Sequence, residues 1–151
     1  DDIPRNRIIV ELDKIRTSRT KNVVDMGCGR AQVSQHFVGD TRFNFINYDH
    51  VGYTDRVTEC DISQTPSKDA SVDIIIMSLV MWGSNCAEYI SEAHRMLDST
   101  GRLYIVEPSK RWTDEGCEDV GGRLRRLLED KCFSVVSKRV DKWCMFTCTP
   151  M

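Results

Sequence analysis

No apolar run in this sequence comes near the roughly 18 residues that a membrane-spanning helix needs, and its start lacks the order of a signal peptide. Excess positive charge is missing too. Lys and Arg number 21 against 23 Asp and Glu, a net charge of -2. That excludes a globally basic nucleic-acid binder but leaves room for a local basic patch. Histidine is scarce: His36, His50 and His94 are the three, and none sits at ligand-like spacing. Cysteine is plentiful at seven, yet the number is odd and no CxxC pair occurs. A disulfide framework and a zinc site are therefore not expected, and the reading is of reduced thiols in an intracellular chain. Repeats and low-complexity tracts are absent as well. What is present is ordinary for a globular chain, 40% hydrophobic and 29% charged over 151 residues. Residues 1–151 are read as one domain with one substantial core. The opening residues read like the middle of a longer chain.

The stretch 22–49, NVVDMGCGRAQVSQHFVGDTRFNFINYD, organises the rest. An apolar run ends at Asp25, Gly27-Cys28-Gly29 follows, and a helix-like segment leads to a second apolar run ending at Asp49. This is a strand, a glycine turn, a helix and a strand closing on an acid. A parallel βαβ unit of this kind places a ligand at the strand carboxyl ends. Gly27 and Gly29 admit backbone close to a ligand that a Cβ would push away. Asp49 lies twenty residues beyond Gly29, about the 20-residue interval at which a carboxylate meets a ribose diol.

The details narrow the ligand. Position 32 is Gln, so the third glycine of the dinucleotide fingerprint is missing, and no lysine follows the glycines as in a phosphate-cradling loop. Asp25 at the strand end would repel a pyrophosphate and suit a cation. S-adenosylmethionine carries a ribose, an ammonium group and a sulfonium, so one acid can take the sugar and another the amine side.

In chain order, residues 4–17 carry Ile8, Ile9, Leu12 and Ile15 at helical spacing, with Pro4 suited to a first turn. Strands are expected at 23–26, 43–48, 56–60, 72–79, 102–107, 133–140 and 143–149. Helices are expected at 31–38, 85–97 and 120–130, the last starting late because Gly121-Gly122 weakens its first turn. Ser84 or Asn85 would cap the helix at 85–97, and Gly101 would end it in a left-handed conformation. Asp61-Ile62, at the end of the third strand, reads either as an adenine clamp or as an Asx-type turn. The fold class is α/β: a mostly parallel seven-stranded sheet with helices on both faces and a terminal β-hairpin.

Together these features resemble a Rossmann-like class I S-adenosylmethionine-dependent methyltransferase. VVDMGCG, Cys60-Asp61-Ile62, VDIIIMSLVMWGSN, EAHRML and FSVVSK occur in the order seen in the nucleomethylin family, eukaryotic methyltransferases of ribosomal-RNA processing. The resemblance covers nearly the whole chain. WGSN, at 82–85, is similar to that family's MGTN. The resemblance implies methylation of N1 of an adenine in large-subunit rRNA, S-adenosylmethionine as cofactor, and a nuclear, nucleolar setting. It carries cofactor contacts onto Gly27, Asp49, Asp61, Ile62 and Ser78; the charge argument adds Asp25 and the turn adds Gly29. The chain departs from the family at Arg30, where an acid is usual, and in a longer stretch after Glu107.

On the substrate side, Asn85 and Glu107 are candidates for orienting a base, Asn85 being read first as a helix cap. Trp82 or Trp112 could stack a flipped adenine. Trp112, on a loop beside Lys110 and Arg111, is favoured, and Trp82 is assigned to the core. Lys110 and Arg111 would form a basic rim for RNA. Two other readings stay open: a catalytically silent cofactor-binding scaffold with protein partners, and a small-molecule methyltransferase. Asp49→Ala is expected to weaken cofactor binding at least about tenfold, through loss of hydrogen bonds worth roughly 1.5–3 kcal/mol. An unchanged dissociation constant by calorimetry would remove the ribose role.

Overall fold

The computed structural model describes residues 3–151. Eleven elements follow in order: α1 (Pro4–Asp13), β1 (Lys21–Met26), α2 (Gln32–His36), β2 (Phe43–Asp49), β3 (Val57–Glu59), β4 (Val72–Ser78), α3 (Cys86–Met96), β5 (Leu97–Pro108), α4 (Gly122–Asp130), β6 (Phe133–Val140) and β7 (Trp143–Pro150). The seven strands form one sheet in the order β3-β2-β1-β4-β5-β7-β6. Pairing is parallel from β3 through β5, and β7 runs antiparallel to both β5 and β6. The chain steps outward one way from β1 to β3, then crosses to β4 on the other side of β1. That reversal opens a crevice at the carboxyl ends of β1 and β4.

Adjacent residues of the central strands serve opposite faces, as a sheet covered on both sides requires. Val23 and Ile76 pack with Ile8 and Leu12 of α1 and with Phe37. Val24 and Ile75 pack with Ile90 and Met96 of α3 and with Leu124 and Leu128 of α4. Ile8 and Leu12 are fully buried, each contributing roughly 1.5–3 kcal/mol. Their docking brings Pro4 and Arg5 to the glycine turn, where both line a cavity.

Two local expectations are corrected. No side-chain hydrogen bond caps α3: Asn85 holds the N-cap position but offers only its backbone carbonyl, to Glu88 and Tyr89. Nor does Gly101 stop that helix. The chain passes from Met96 directly into β5 at Leu97, and Gly101 is not among the positive-φ glycines. Its need for a bare Cα is steric. A Cβ there would lie 2.6 Å from Leu97 Cδ1 and 2.8 Å from the Asp73 carbonyl oxygen. The late start of the last helix is as expected: α4 opens at Gly122, after Gly121 at φ 75°. Helix α2 is shorter than expected, because Ala31 stands in the left-handed region at its start.

All seven cysteines are free, with Cys86, Cys144 and Cys148 buried. Gly101→Ala is expected to destabilise the fold by about 1–3 kcal/mol through overpacking. The check is a lower urea midpoint with an unchanged denaturant slope.

Candidate active site

The end of β1 continues as turn rather than strand. The amides of Gly27 and Cys28 both donate to the Tyr48 carbonyl, at 2.8 and 3.0 Å. Gly27 (φ 74°) and Gly29 (φ 57°) are left-handed. At Gly27 the demand comes from the protein itself, because a Cβ would overlap Val80 Cγ1. At Gly29 a Cβ would meet nothing within 4 Å, so that position opens onto free space.

Two hollows flank this turn. The larger, about 530 Å³, is bordered by Gly27, Asp49, Asp61, Ile62, Val80, Trp82 and Tyr89, among others. The smaller, about 270 Å³, is bordered by Arg5, Asp25, Gly29, Arg30 and Ser78, among others. Gly27 and Leu79 border both, so the two are lobes of one crevice. Leu79 itself has φ 57°, a strain on the order of 1–3 kcal/mol for a side-chain-bearing residue. Every cofactor candidate from the sequence thus borders one lobe or the other.

The acids differ in state. Asp25 is 4% exposed and has no hydrogen-bond partner among the described residues. Burial, and then the charge of Asp49, pushes its carboxyl up to about 7. Asp49 is 6% exposed and well satisfied. Its Oδ2 accepts from the Gly29 amide at 2.9 Å and its Oδ1 from the Val51 amide at 3.1 Å, with His50 Nδ1 at 3.0 Å. It therefore latches the glycine turn to the end of β2 as well as bordering the larger lobe. Asp61 is exposed, and its Oδ1 accepts from the amide and hydroxyl of Ser63. The Asx-type turn is real, and the same residue still borders the lobe. Cys28 is no nucleophile, since burial and the two acids push its thiol up to about 12. Among the described residues no His, Cys, Asp and Glu side chains cluster to hold a metal, and no helix is long and apolar enough to cross a membrane.

The substrate-side expectations are corrected. Asn85 and Glu107 border neither lobe. Glu107 is fully buried beneath the loop after β4. Its Oε2 accepts from the amides of Val80 (3.0 Å) and Met81 (3.4 Å), and its Oε1 from Trp112 Nε1 (3.4 Å). The two tryptophans exchange places. Trp112 is 7% exposed and belongs to the core, because residues 109–112 turn back and its carbonyl accepts from the Arg123 amide at the start of α4. Trp82 is 60% exposed and borders the larger lobe. Lys110 is exposed, whereas Arg111 lies over both indoles, 5.1 Å from Trp82 and 5.7 Å from Trp112. Sequence reasoning missed Arg5 and Tyr89 as lining residues. Arg30 was visible only as a departure from a family pattern.

The sheet order and terminal hairpin define the class I S-adenosylmethionine-dependent methyltransferase fold. A TehB-like methyltransferase from Corynebacterium glutamicum superposes with a TM-score of 0.76 at 16% identity, over 100% of this chain and 89% of that one. The 1,6-didemethyltoxoflavin-N1-methyltransferase of Burkholderia thailandensis, solved with S-adenosylhomocysteine, gives 0.74 at 18%, over 98% and 77%. A family profile described as "Hypothetical methyltransferase" matches residues 2–148, and the chain belongs to that family.

Relatives include Ribosomal RNA-processing protein 8 of Dictyostelium discoideum, 36% identical over 111 residues, 74% of this chain and 27% of that protein. The protein of the same name in Caenorhabditis elegans is 34% identical over 129 residues, 81% of this chain and 37% of that protein. The 25S rRNA (adenine(645)-N(1))-methyltransferase of Schizosaccharomyces pombe is 28% identical over 140 residues, 91% and 44%. This is the ribosomal-RNA-processing group that the sequence motifs resemble. The chain spans 27% to 44% of the length of these three relatives.

Glu107→Gln is expected to destabilise the protein by about 1–3 kcal/mol at pH 5, since the amide sets two donors among the indole and loop N–H groups where the protonated acid sets one. Burial pushes the Glu107 carboxyl up to about 7 in the folded state. Its contribution to stability is therefore full below about pH 4.3, its unfolded value, and is lost as pH rises toward 7. Unfolding midpoints should separate wild type from variant more widely at pH 5 than at pH 8.

Proposed function

We propose that this chain binds S-adenosylmethionine across the two lobes and methylates N1 of an adenine in large-subunit ribosomal RNA during ribosome biogenesis, in the nucleolus. The observation that carries the reading is Asp25: a buried carboxyl group without a partner among the described residues, facing a small lobe that also holds two arginines. A zwitterion with an added positive centre fits that donor set. Its ammonium group suits Asp25, and its carboxylate suits Arg5 or Arg30. The larger lobe fits a nucleoside, with Asp49 for the ribose, Asp61 for the exocyclic amine and Ile62 against the ring. Gly27, Gly29 and Ser78 complete the walls. The S-adenosylhomocysteine in a neighbour of the same fold supports the choice of ligand, and the printed activity of the fission-yeast relative supports the choice of acceptor.

When bound, the cofactor supplies an activated methyl carbon. The chain's own contribution is proximity and alignment. Adenine N1 carries a free lone pair at neutral pH, so no side chain has to remove a proton before attack. That accords with a lining whose carboxylates serve binding and whose two flanking thiols, Cys28 and Cys60, are held in the protonated form by burial. Lys110, exposed and next in the chain to Arg111, is assigned here to the phosphate backbone, and protein partners fit a domain found within longer relatives.

The test is transfer of labelled methyl from S-adenosylmethionine to large-subunit rRNA fragments. Label on an adenine N1 is the expected result; cofactor binding with no label on any RNA would favour a silent scaffold. Asp25→Asn is expected to lower cofactor affinity and transfer together while stabilising the unliganded protein at pH 8. The folded state holds the Asp25 proton more tightly than the unfolded chain does, so this residue's stability is full below about pH 4 and lost by about pH 7, at roughly 1.4 kcal/mol per pKa unit. A smaller loss of stability from pH 4 to 8 in the variant than in wild type, read by thermal unfolding, checks the sign.

A further inference from the structure

Trp82 has an unusual set of constraints for an exposed residue. It is 60% exposed, yet its indole is fixed. Its Nε1 donates to the Leu79 carbonyl, and the Arg111 guanidinium lies 5.1 Å from the ring centroid. Arg111 in turn rests on buried Trp112, over which Arg123 also lies, at 5.6 Å. The loop carrying Trp82 is held from below by Glu107 through the Val80 and Met81 amides. An exposed aromatic group is thus built into a rigid stack, with a cation covering part of its surface. The cation–π contact offsets exposure of the ring only in part, and the entropy of ordering the side chain is already spent in the free protein.

The position is as telling as the rigidity. Trp82 borders the larger lobe alongside Gly83 and Tyr89, whereas Ile62, 9% exposed, walls the same lobe from the core side. A nucleoside held against Ile62, Asp61 and Asp49 fills the interior and leaves the indole uncovered. A second planar group, arriving from solvent, would cover it. We propose that Trp82 is the stacking platform for the acceptor nucleobase, with Arg111 behind it and Lys110, the exposed chain neighbour of Arg111, taking the flanking phosphodiester. This deepens the function proposed above and rests on it. Aromatic stacking of this kind accepts any base, so Trp82 positions the acceptor and the lobe selects the ring atom that is methylated. Trp82 is a substrate-binding residue here, and Glu107 and Arg111 are positioning residues that act through it.

The test uses the protein saturated with S-adenosylhomocysteine and single-stranded oligonucleotides that carry one adenine among abasic residues, each paired with the same strand made wholly abasic. Trp82→Ala is expected to weaken binding of the adenine-bearing strand about tenfold to a hundredfold. The abasic strand should bind wild type and variant alike, and S-adenosylhomocysteine affinity should not change. Trp82→Phe should retain most of the affinity, which excludes a failure to fold, and the indole fluorescence quenched by the adenine-bearing strand should be lost in that variant. Equal losses on adenine-bearing and abasic strands would overturn stacking. A loss of S-adenosylhomocysteine affinity in Trp82→Ala would overturn the assignment to the acceptor, because the indole would then wall the cofactor. Unchanged binding of the adenine-bearing strand would overturn the proposal while leaving the cofactor reading intact. Failure of the wild-type protein to bind S-adenosylhomocysteine would remove both.

Discussion

Two carboxylates buried close together govern this site. Asp25 ends the apolar part of β1, and Asp49 ends β2, its parallel neighbour. Each lies in a place that water scarcely reaches, and the charge of one raises the proton affinity of the other. Asp49 is relieved by two backbone amides, one from the glycine turn itself. Asp25 is relieved by no hydrogen bond or cation among the described residues. A dry carboxyl without a partner takes up a proton more readily than it holds a charge, and a cationic ligand that pairs with it draws out the ionised form. The glycine turn, the docking of α1 and the two-lobed crevice are the geometry that keeps that acid dry and reachable from one side.

Much of this was legible in the sequence because parallel sheets write themselves plainly. Doubly buried strands read as short apolar runs, and the acids at 25, 49 and 61 mark where those runs end. The glycine spacing and the missing third glycine were enough to set aside pyrophosphate. What local pattern could not supply was the direction of side chains outside regular structure. Trp112 sits between a lysine-arginine pair and an acidic stretch, and it reads as exposed. Trp82 follows an apolar run, and it reads as core. The reversal depends on Glu107, whose buried carboxylate draws Trp112 inward by its indole nitrogen and holds the β4 loop above it. No periodicity records a contact between residues 107, 112 and 80.

The glycines show the same limit on a smaller scale. From sequence Gly27 reads as a close approach to ligand and Gly101 as a helix stop, and in both the neighbouring protein atoms already exclude a Cβ. Gly27 yields to Val80, and Gly101 yields to Leu97 and the Asp73 carbonyl. A helix stop and a tightly packed crossing leave the same letter in the chain. Arg5 illustrates the complementary case, a charge on an otherwise amphipathic helix that acquires meaning only when Ile8 and Leu12 dock and swing its end over the crevice.

The grip of Glu107 on the loop after β4 is exerted through main-chain N–H groups, which every residue except proline possesses. Side chains along that loop are thereby relieved of holding it in shape. The backbone at residues 80 and 81 is therefore held whatever side chain stands at position 82.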